Sequence, residues 1–320
     1  MREIVIGKND AGQRLDKFLV KAVKDMPFSL MYKSIRTKKI KLNRKRTEPN
    51  VILNEGDVLQ LFLNEDIFGD GSEKDDAVSV LSHTTPIFDV EYEDENVMVV
   101  YKPEGLSVHS DEGNERNNLI TQIQAYLYKK GEYDPLSEQS FAPALCNRID
   151  RNTEGLVIAA KNAEALRSVD EMIRDGKITK KYLCAVHGVP KKKEDILYGW
   201  LKKDSRTNTV RVEDGEFPGS VKIKTGYRVI ESKGNASLLE VRLYTGKTHQ
   251  IRAHLAHIGH PLLGDGKYGQ NREDRKLGLK SQALCSCSVR FECKSGLLSY
   301  LDGKEISVER GKIGFLRLFE

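Results

Sequence analysis

Five consecutive apolar residues, Leu156 to Ala160, follow directly on a polar island, Cys146-Asn-Arg-Ile-Asp-Arg-Asn-Thr-Glu-Gly155. A short unbroken apolar run of this kind reads as a buried strand, and Gly155 allows a tight turn into it. The fold therefore has to deliver a charged loop to the end of a covered strand. Within the loop, Asp150 lies between Arg148 and Arg151. Neighbouring positive charge favours the ionised form of a carboxylate, and an ionised, positioned carboxylate serves as nucleophile or base. On these residues alone, a turn cap or a surface pair with Arg148 is the favoured reading of Asp150.

A chain of 320 residues is long enough for one large domain and one small one. Its 39% hydrophobic and 31% charged composition is that of a globular protein, and no apolar run approaches membrane-spanning length. Met1-Arg-Glu-Ile-Val-Ile-Gly-Lys8 lacks the apolar core of a signal peptide, so the expected location is cytoplasmic. Five cysteines (Cys146, Cys184, Cys285, Cys287 and Cys293) form no metal-ligand or disulfide pattern and are expected to be reduced, buried thiols. Cys285 and Cys287 would share one face of a strand.

Charge is unevenly distributed. Residues 1 to 65 carry 14 Lys and Arg against 8 Asp and Glu, whereas residues 66 to 95 carry 1 Lys against 10 Asp and Glu. A basic module followed by an acidic connector suggests that the first part meets phosphate and the second does not. In the module, Leu15, Phe18, Leu19, Ala22 and Val23 have helical spacing with a basic opposite face. Pro27 ends that helix, and Ser29 is a candidate cap for a second one running to about Arg36. In Arg36-Thr-Lys-Lys-Ile-Lys-Leu-Asn-Arg-Lys-Arg46, Ile40 and Leu42 alternate with polar residues as on a half-buried strand. This leaves Arg36, Lys38, Lys39, Lys41, Arg44, Lys45 and Arg46 as candidate RNA-binding residues. Val51-Ile-Leu53 and Val58 to Leu63 complete a small sheet. Residues 65 to 85, rich in Gly, Ser and Asp, read as an acidic flexible linker.

Beyond the linker, strands are expected at Pro86 to Tyr92, Asn96 to Tyr101, Tyr182 to His187 and Ser237 to Tyr244. Helices are expected at Asn117 to Lys130, Lys161 to Arg174 and His249 to about Ile258. Their irregular alternation favours an α+β domain over residues 86 to 320. Asp204-Ser-Arg-Thr-Asn208 is polar enough to face RNA. Gly246-Lys-Thr248 between strand and helix invites a phosphate-loop reading, but the first glycine of that motif would fall at position 241, which is Val241. His249, His254, His257 and His260 lack metal-ligand spacing. Residues 294 to 320 carry no assignable motif, and the chain has no internal repeat.

Five blocks, in this order along the chain, resemble the RluA-type family of RNA pseudouridine synthases. They are Val100-Tyr-Lys-Pro-Glu-Gly-Leu-Ser-Val-His109, Arg148-Ile-Asp-Arg-Asn-Thr-Glu-Gly-Leu156, Lys181-Tyr-Leu-Cys-Ala-Val186, Thr245-Gly-Lys-Thr-His-Gln-Ile-Arg-Ala-His-Leu255 and Gly259-His-Pro-Leu-Leu-Gly-Asp-Gly-Lys-Tyr-Gly269. The likeness covers about residues 86 to 293. Residues 1 to 64 separately resemble the small alpha-L RNA-binding module of the ribosomal S-four type, which grips backbone and shape more than sequence.

The resemblance implies a catalytic domain with a mixed, largely antiparallel sheet and flanking helices, plus the small α/β RNA-binding domain. It implies isomerisation of uridine to pseudouridine in structured RNA, with large-subunit ribosomal RNA as the expected target. The enzyme would be a monomer with no membrane partner, cofactor or metal. It assigns Asp150 as the essential carboxylate acting on the ribose, Arg252 as its basic partner, and Tyr182 as the stacking residue. Arg148 would line the site and hold the nucleotide out of its helix, and Leu284 would be an apolar pocket residue. The usual His-Ala after that leucine is here Cys285-Ser286, and the common His, Leu and Asp around the catalytic block are Asn147, Ile149 and Asn152. A transfer-RNA target, or a non-catalytic RNA-binding or ribosome-assembly factor of the same fold, are the competing readings.

Overall fold

The computed structural model describes residues 1–23, 25–68, 72–110, 117–269 and 271–320, and the chain divides into two units. The first comprises Met1–Pro86, Ile120–Ala144 and Lys161–Leu166; the second comprises Ile87–Leu119, Leu145–Ala160 and Arg167–Glu320.

In the first unit, strand β1 (Arg2–Val5) precedes helices α1 (Leu15–Ala22) and α2 (Phe28–Arg36), which lead into β2 (Ile40–Leu42), β3 (Lys45–Arg46) and β4 (Val58–Leu61). These strands form one sheet in the order β1-β4-β2-β3. Leu15, Phe18 and Leu19, at positions i, i+3 and i+4 of α1, are fully buried against Ile35 of α2 and Ile40, Leu59 and Leu61 of the sheet. Burial of each such side chain contributes roughly 2 kcal/mol, so Phe18→Ala would remove the centre of this core. Asn43 and Arg44 turn β2 into β3 with φ of 50° and 65°, as a two-residue hairpin loop requires. The Asn43 side chain holds that turn by donating to Asp57 at 2.7 Å and accepting from Val58 N–H at 2.8 Å.

Several local expectations differ from the structure. Ser29 is not a cap: α2 starts at Phe28 after Pro27, whose backbone conformation sets the entry. Val51 to Leu53 forms no strand, only an isolated bridge between Ile52 and Arg14. The stretch read as a flexible linker carries helix α3 (Ser72–His83), while Gly69 to Gly71 lie outside the described residues. Apolar Leu81 is 4% exposed, and Lys74 Nζ donates to the carbonyls of Leu136 and Glu138 at 3.2 and 3.0 Å. Acidic composition masks this short apolar spacing. β1 carries no alternating polar pattern, since Ile4, Val5 and Ile6 are all apolar although only Ile4 and Ile6 are buried.

The second unit is built on a mixed, largely antiparallel sheet, as expected of an α+β fold. Its strands are β5 (Asp89–Glu93), β6 (Val97–Lys102), β7 (Ala144–Leu145), β8 (Glu154–Ala160), β9 (Ile178–His187), β10 (Glu194–Asp204), β11 (Thr209–Glu213), β12 (Val221–Lys233), β13 (Ala236–Leu243), β14 (Leu284–Phe291) and β15 (Glu305–Ser307). Their order is β11-β10-β12-β13-β9-β14-β8-β6-β5, with β7 beside β8 and β15 beside β14. Helices α4 (Leu119–Lys129) and α5 (Ala163–Arg174) each cross the division in sequence, and α6 (Gln250–His257) belongs wholly to the second unit.

The β8–β14 join is parallel, pairing Glu154 with Cys285 and Gly155 with Ser286. Here Gly155 is required: its φ is 114°, and a Cβ would collide with the Ser286 backbone. That close approach sets the loop before β8 beside the start of β14. A bulge between Ser286 and Ser288 breaks alternation, so Cys285 is buried while Cys287 is half-buried; the two do not present one uniform face. All five cysteines are free thiols, with Cys146 also only half-buried. The C-terminal stretch closes on the sheet through β15 and buried Phe315 and Leu316, while Lys312 Nζ reaches Asp89 and Glu91 on β5.

Candidate active site

Asp150 is held by a loop fastened at several points. Lys102, at the end of β6 and wholly buried, donates from Nζ to the carbonyls of Pro103, Leu106 and Arg151 at 2.9, 2.8 and 2.9 Å. Gly105 N–H adds a second bond to the Arg151 carbonyl at 3.0 Å. Thr153 N–H closes the turn on the Asp150 carbonyl at 3.0 Å, and Gln282 Nε2 donates to the Thr153 hydroxyl at 3.2 Å. On the other side, Asn147 Oδ1 accepts from Ile158 N–H at 2.8 Å. The loop therefore has little freedom although it belongs to no regular element.

The alternative in which Asp150 pairs with Arg148 at the surface is not what the structure contains. Arg151 Nε turns away to the Gly105 carbonyl at 3.0 Å, and Arg148 is exposed. The partner is Arg252, in the first turn of α6, whose Nη1 donates to Asp150 Oδ2 at 3.0 Å. The other edge of the same guanidinium makes two bonds to Asp265, from Nε to Oδ2 at 2.7 Å and from Nη2 to Oδ1 at 2.9 Å. Only a planar fork can serve two carboxylates in this way. Asp265 is fully buried; burial by itself would raise its pKa, but the Arg252 bonds and charge, with N–H groups of Lys267 and Tyr268, outweigh it and lower the value. Burial likewise opposes the charge on Arg252, and the two carboxylates reverse the effect, so its pKa is raised.

His249 caps α6 from a left-handed conformation, φ 52°, and lies with Nε2 3.8 Å from Asp150 Oδ2. Its Nδ1 is 2.8 Å from the Tyr268 hydroxyl, and the Tyr268 ring also sits under the Arg252 guanidinium at 5.3 Å. Burial lowers the pKa of His249, keeping the ring neutral around pH 7.

Asp150, Arg252 and His249 line a cavity of about 420 Å³, large enough for a nucleotide-sized ligand. Asp150, Arg148, Tyr182, Arg252 and Leu284 all contribute to its wall, with His249 and Ile149. Tyr182, on β9, is 5% exposed, and burial raises the pKa of its phenol, with Asp150 adding to the effect. The wall thus combines an anion fixed by a guanidinium, an aromatic ring and an aliphatic side chain.

The seven basic residues singled out in the first unit lie at the end of α2 and on the β2–β3 hairpin. Arg36, Lys38, Lys39, Arg44, Lys45 and Arg46 are exposed, and half-exposed Lys41 lies 5.2 Å from the centre of the Phe62 ring. Sequence reasoning missed Lys102, His249, Asp265 and Tyr268 as parts of the site. The sequence offers His249 only as a metal-ligand candidate, and Asp265 and Tyr268 fall inside the last of the five family-like blocks with nothing local to give them a role.

Comparison with known proteins adds an independent line. The sequence profile of the RNA pseudouridylate synthase family matches residues 96–257. A ribosomal large subunit pseudouridine synthase C of Vibrio parahaemolyticus is 30% identical over 296 residues, covering 90% of this chain and 87% of the relative. An uncharacterized RNA pseudouridine synthase of Mycoplasma capricolum is 31% identical over 310 residues, covering 96% and 97%. In fold, the chain is similar to human RNA pseudouridylate synthase domain containing 1, with a TM-score of 0.56 at 19% identity over 72% of this chain and 86% of that one.

Proposed function

From the premise that this chain belongs to the RNA pseudouridylate synthase family, we propose that it isomerises uridine in large-subunit ribosomal RNA, with Asp150 as the carboxylate that engages the ribose. The chain is an RNA pseudouridine synthase. In the reaction the bond from ribose C1′ to uracil N1 breaks and one from C1′ to C5 forms, while C5 loses a proton and N1 gains one. Such a target has to leave its helical stack before a protein side chain can reach the sugar carbon.

The observation that carries the residue assignment is the Arg252 bond to Asp150 at 3.0 Å, at the wall of a cavity that also holds Tyr182. Asp150 acts either by attack on C1′ or by taking the C2′ proton; both need an oriented anion, and Arg252 orients it. Tyr182 stacks on the flipped uracil, Leu284 packs its edge, and exposed Arg148 holds the nucleotide out of its helix. Residues 1 to 64 are the RNA-gripping module, with Arg36, Lys38, Lys39, Lys41, Arg44, Lys45 and Arg46 meeting phosphate; residues 86 to 320 are the catalytic domain. The enzyme works as a monomer in the cytoplasm. The ribosomal target rests on the name of the Vibrio relative.

Pseudouridine mapping in ribosomal and transfer RNA, from cells with and without the protein, tests the target. Loss of a large-subunit site, restored by the wild type but not by Asp150→Asn, is expected. Loss confined to transfer RNA would overturn the ribosomal assignment, and restoration by Asp150→Asn would overturn the role of the carboxylate.

A further inference from the structure

The Tyr268 phenol oxygen accepts from Val210 N–H at 2.8 Å and lies 2.8 Å from His249 Nδ1. The amide hydrogen takes up one acceptor position of that oxygen, which leaves the phenol's own proton well placed to be donated to Nδ1. In that tautomer the remaining ring hydrogen sits on Nε2, since a neutral imidazole carries one N–H. The chain Val210 N–H, Tyr268 O–H, imidazole therefore points a fixed N–H into the pocket, 3.8 Å from Asp150 Oδ2. The ring is buried, and its edge-on contact with Tyr268, 5.7 Å between centroids at 73°, prevents it from swinging away. A bond of 3.8 Å is too long to be made between these two groups. The gap suits one ligand oxygen that touches both of them.

On the role of Asp150 proposed for this site, the carboxylate faces ribose C1′ and C2′. C1′ carries the ring oxygen O4′ and C2′ the 2′-hydroxyl, and of these two oxygens the hydroxyl is the one that lies on the C2′ side and is absent from deoxyribose. We propose that His249 Nε2–H donates to the 2′-hydroxyl oxygen of the target nucleotide, making His249 the residue by which this pocket distinguishes ribose from deoxyribose. The 2′-hydroxyl is the chemical difference between the two sugars, and a buried donor built to meet it discriminates against its absence because the donor is then left unpaired. Neutrality of the ring fits this role, since an imidazolium would pair directly with Asp150 and draw it from the sugar. His249 stands in a left-handed conformation that a β-branched or bulky residue tolerates poorly, and Asn is the substitute best suited to that backbone. Asn also reaches only as far as Nδ1, so it can keep the Tyr268 contact while removing the pocket donor. Gln extends to the Nε2 position.

The experiment uses a synthetic ribosomal RNA fragment spanning the uridine the wild type modifies, made with ribose or 2′-deoxyribose at that one nucleotide. Wild-type formation of pseudouridine in the ribose fragment checks the functional reading separately; if none forms, that reading fails. Affinities for both fragments are then compared in the full-length Asp150→Asn protein, where no turnover intervenes. A preference for ribose on the order of tenfold is expected, as for a buried donor losing its partner. Adding His249→Asn should abolish the preference, by weakening ribose binding and by relieving deoxyribose binding of the unpaired donor, and His249→Gln should restore part of it. Any effect of sugar pucker is common to all variants and cancels in the comparison. Absence of a ribose preference in the parent, or the same preference after His249→Asn, overturns the proposal. Should His249→Asn fail to fold, Tyr268→Phe, which frees the ring but keeps it, decides in its place: a reduced preference supports the assignment and an unchanged one rejects it.

Discussion

Arg252 gives two bonds to Asp265, through Nε at 2.7 Å and Nη2 at 2.9 Å, and has Nη1 left for Asp150 at 3.0 Å. The fully buried carboxylate therefore fixes the guanidinium, and the guanidinium fixes the half-exposed one. Breaking a buried ion pair from one side typically costs about 3 to 5 kcal/mol, because the remaining charge loses its partner. Asp265→Asn is expected to lower stability by about 3 kcal/mol and to slow isomerisation by loosening Arg252. Urea unfolding and single-turnover rates measure both effects; an unchanged rate would remove Asp265 from the positioning of Asp150.

The exposed basic face makes a different kind of contribution. Lys39, Lys45 and Arg46 lie at the α2–β2 turn and on β3, away from the buried core of the first unit. Replacing all three by Gln should weaken RNA binding and flatten its salt dependence, by roughly one unit of slope for each phosphate that these side chains neutralise. Melting temperature should hardly move. Binding titrations between low and physiological salt provide the check, and an unaltered slope would show that this face does not meet the RNA.

What could be read from the sequence followed the distance over which each signal acts. Apolar spacing marked α1, α4, α5 and the Leu156 to Ala160 strand because each buries a face set by its own periodicity. Local charge was a poorer guide: on the loop residues alone a surface pair with Arg148 also fitted Asp150, whereas the structure pairs it with Arg252, 102 residues away. The resemblance to a family supplied that partner, and composition did not. Asp265, Tyr268 and His249 escaped for the same reason, since their roles depend on a convergence of α6 with the loop after it. In residues 65 to 85, acidic composition hid the short apolar spacing that forms α3.

Lys102 links the loop to solution pH. Burial lowers its pKa to about 7, against the pull of Asp150, Glu154 and Glu104, although its three carbonyl partners suit an ammonium group. An unfolded lysine keeps its proton to about pH 10.4. Between those values the unfolded chain binds the extra proton, so stability contributed by this group rises with pH from about 7 and levels off near 10. Lys102→Met lacks that slope and leaves the Arg151 carbonyl without its Nζ donor. Unfolding free energies of the two proteins at neutral pH and two units above it should diverge by up to about 1.4 kcal/mol per pH unit. Parallel curves would mean that the amine keeps its proton in the fold.

Tyr182 offers a ring and a hydroxyl, which on the proposed function would serve different steps. The ring lines the pocket and can stack on a flipped uracil, a contact worth roughly 1 to 3 kcal/mol for an aromatic side chain and a base. The hydroxyl is a candidate acceptor for the proton that leaves C5, since proton transfer needs a positioned base. Burial raises the pKa of this phenol, with the Asp150 charge adding to the shift, so little phenolate exists near neutral pH. Stacking is then the larger contribution. Tyr182→Phe should keep most of the single-turnover rate, whereas Tyr182→Leu should lose roughly 10- to 100-fold, the kinetic equivalent of the stacking energy. A rearranged product still protonated at C5, accumulating with Phe, would instead assign the proton step to the hydroxyl. Near-normal rates for both variants, with folding and RNA affinity intact, would place this side chain outside the reaction.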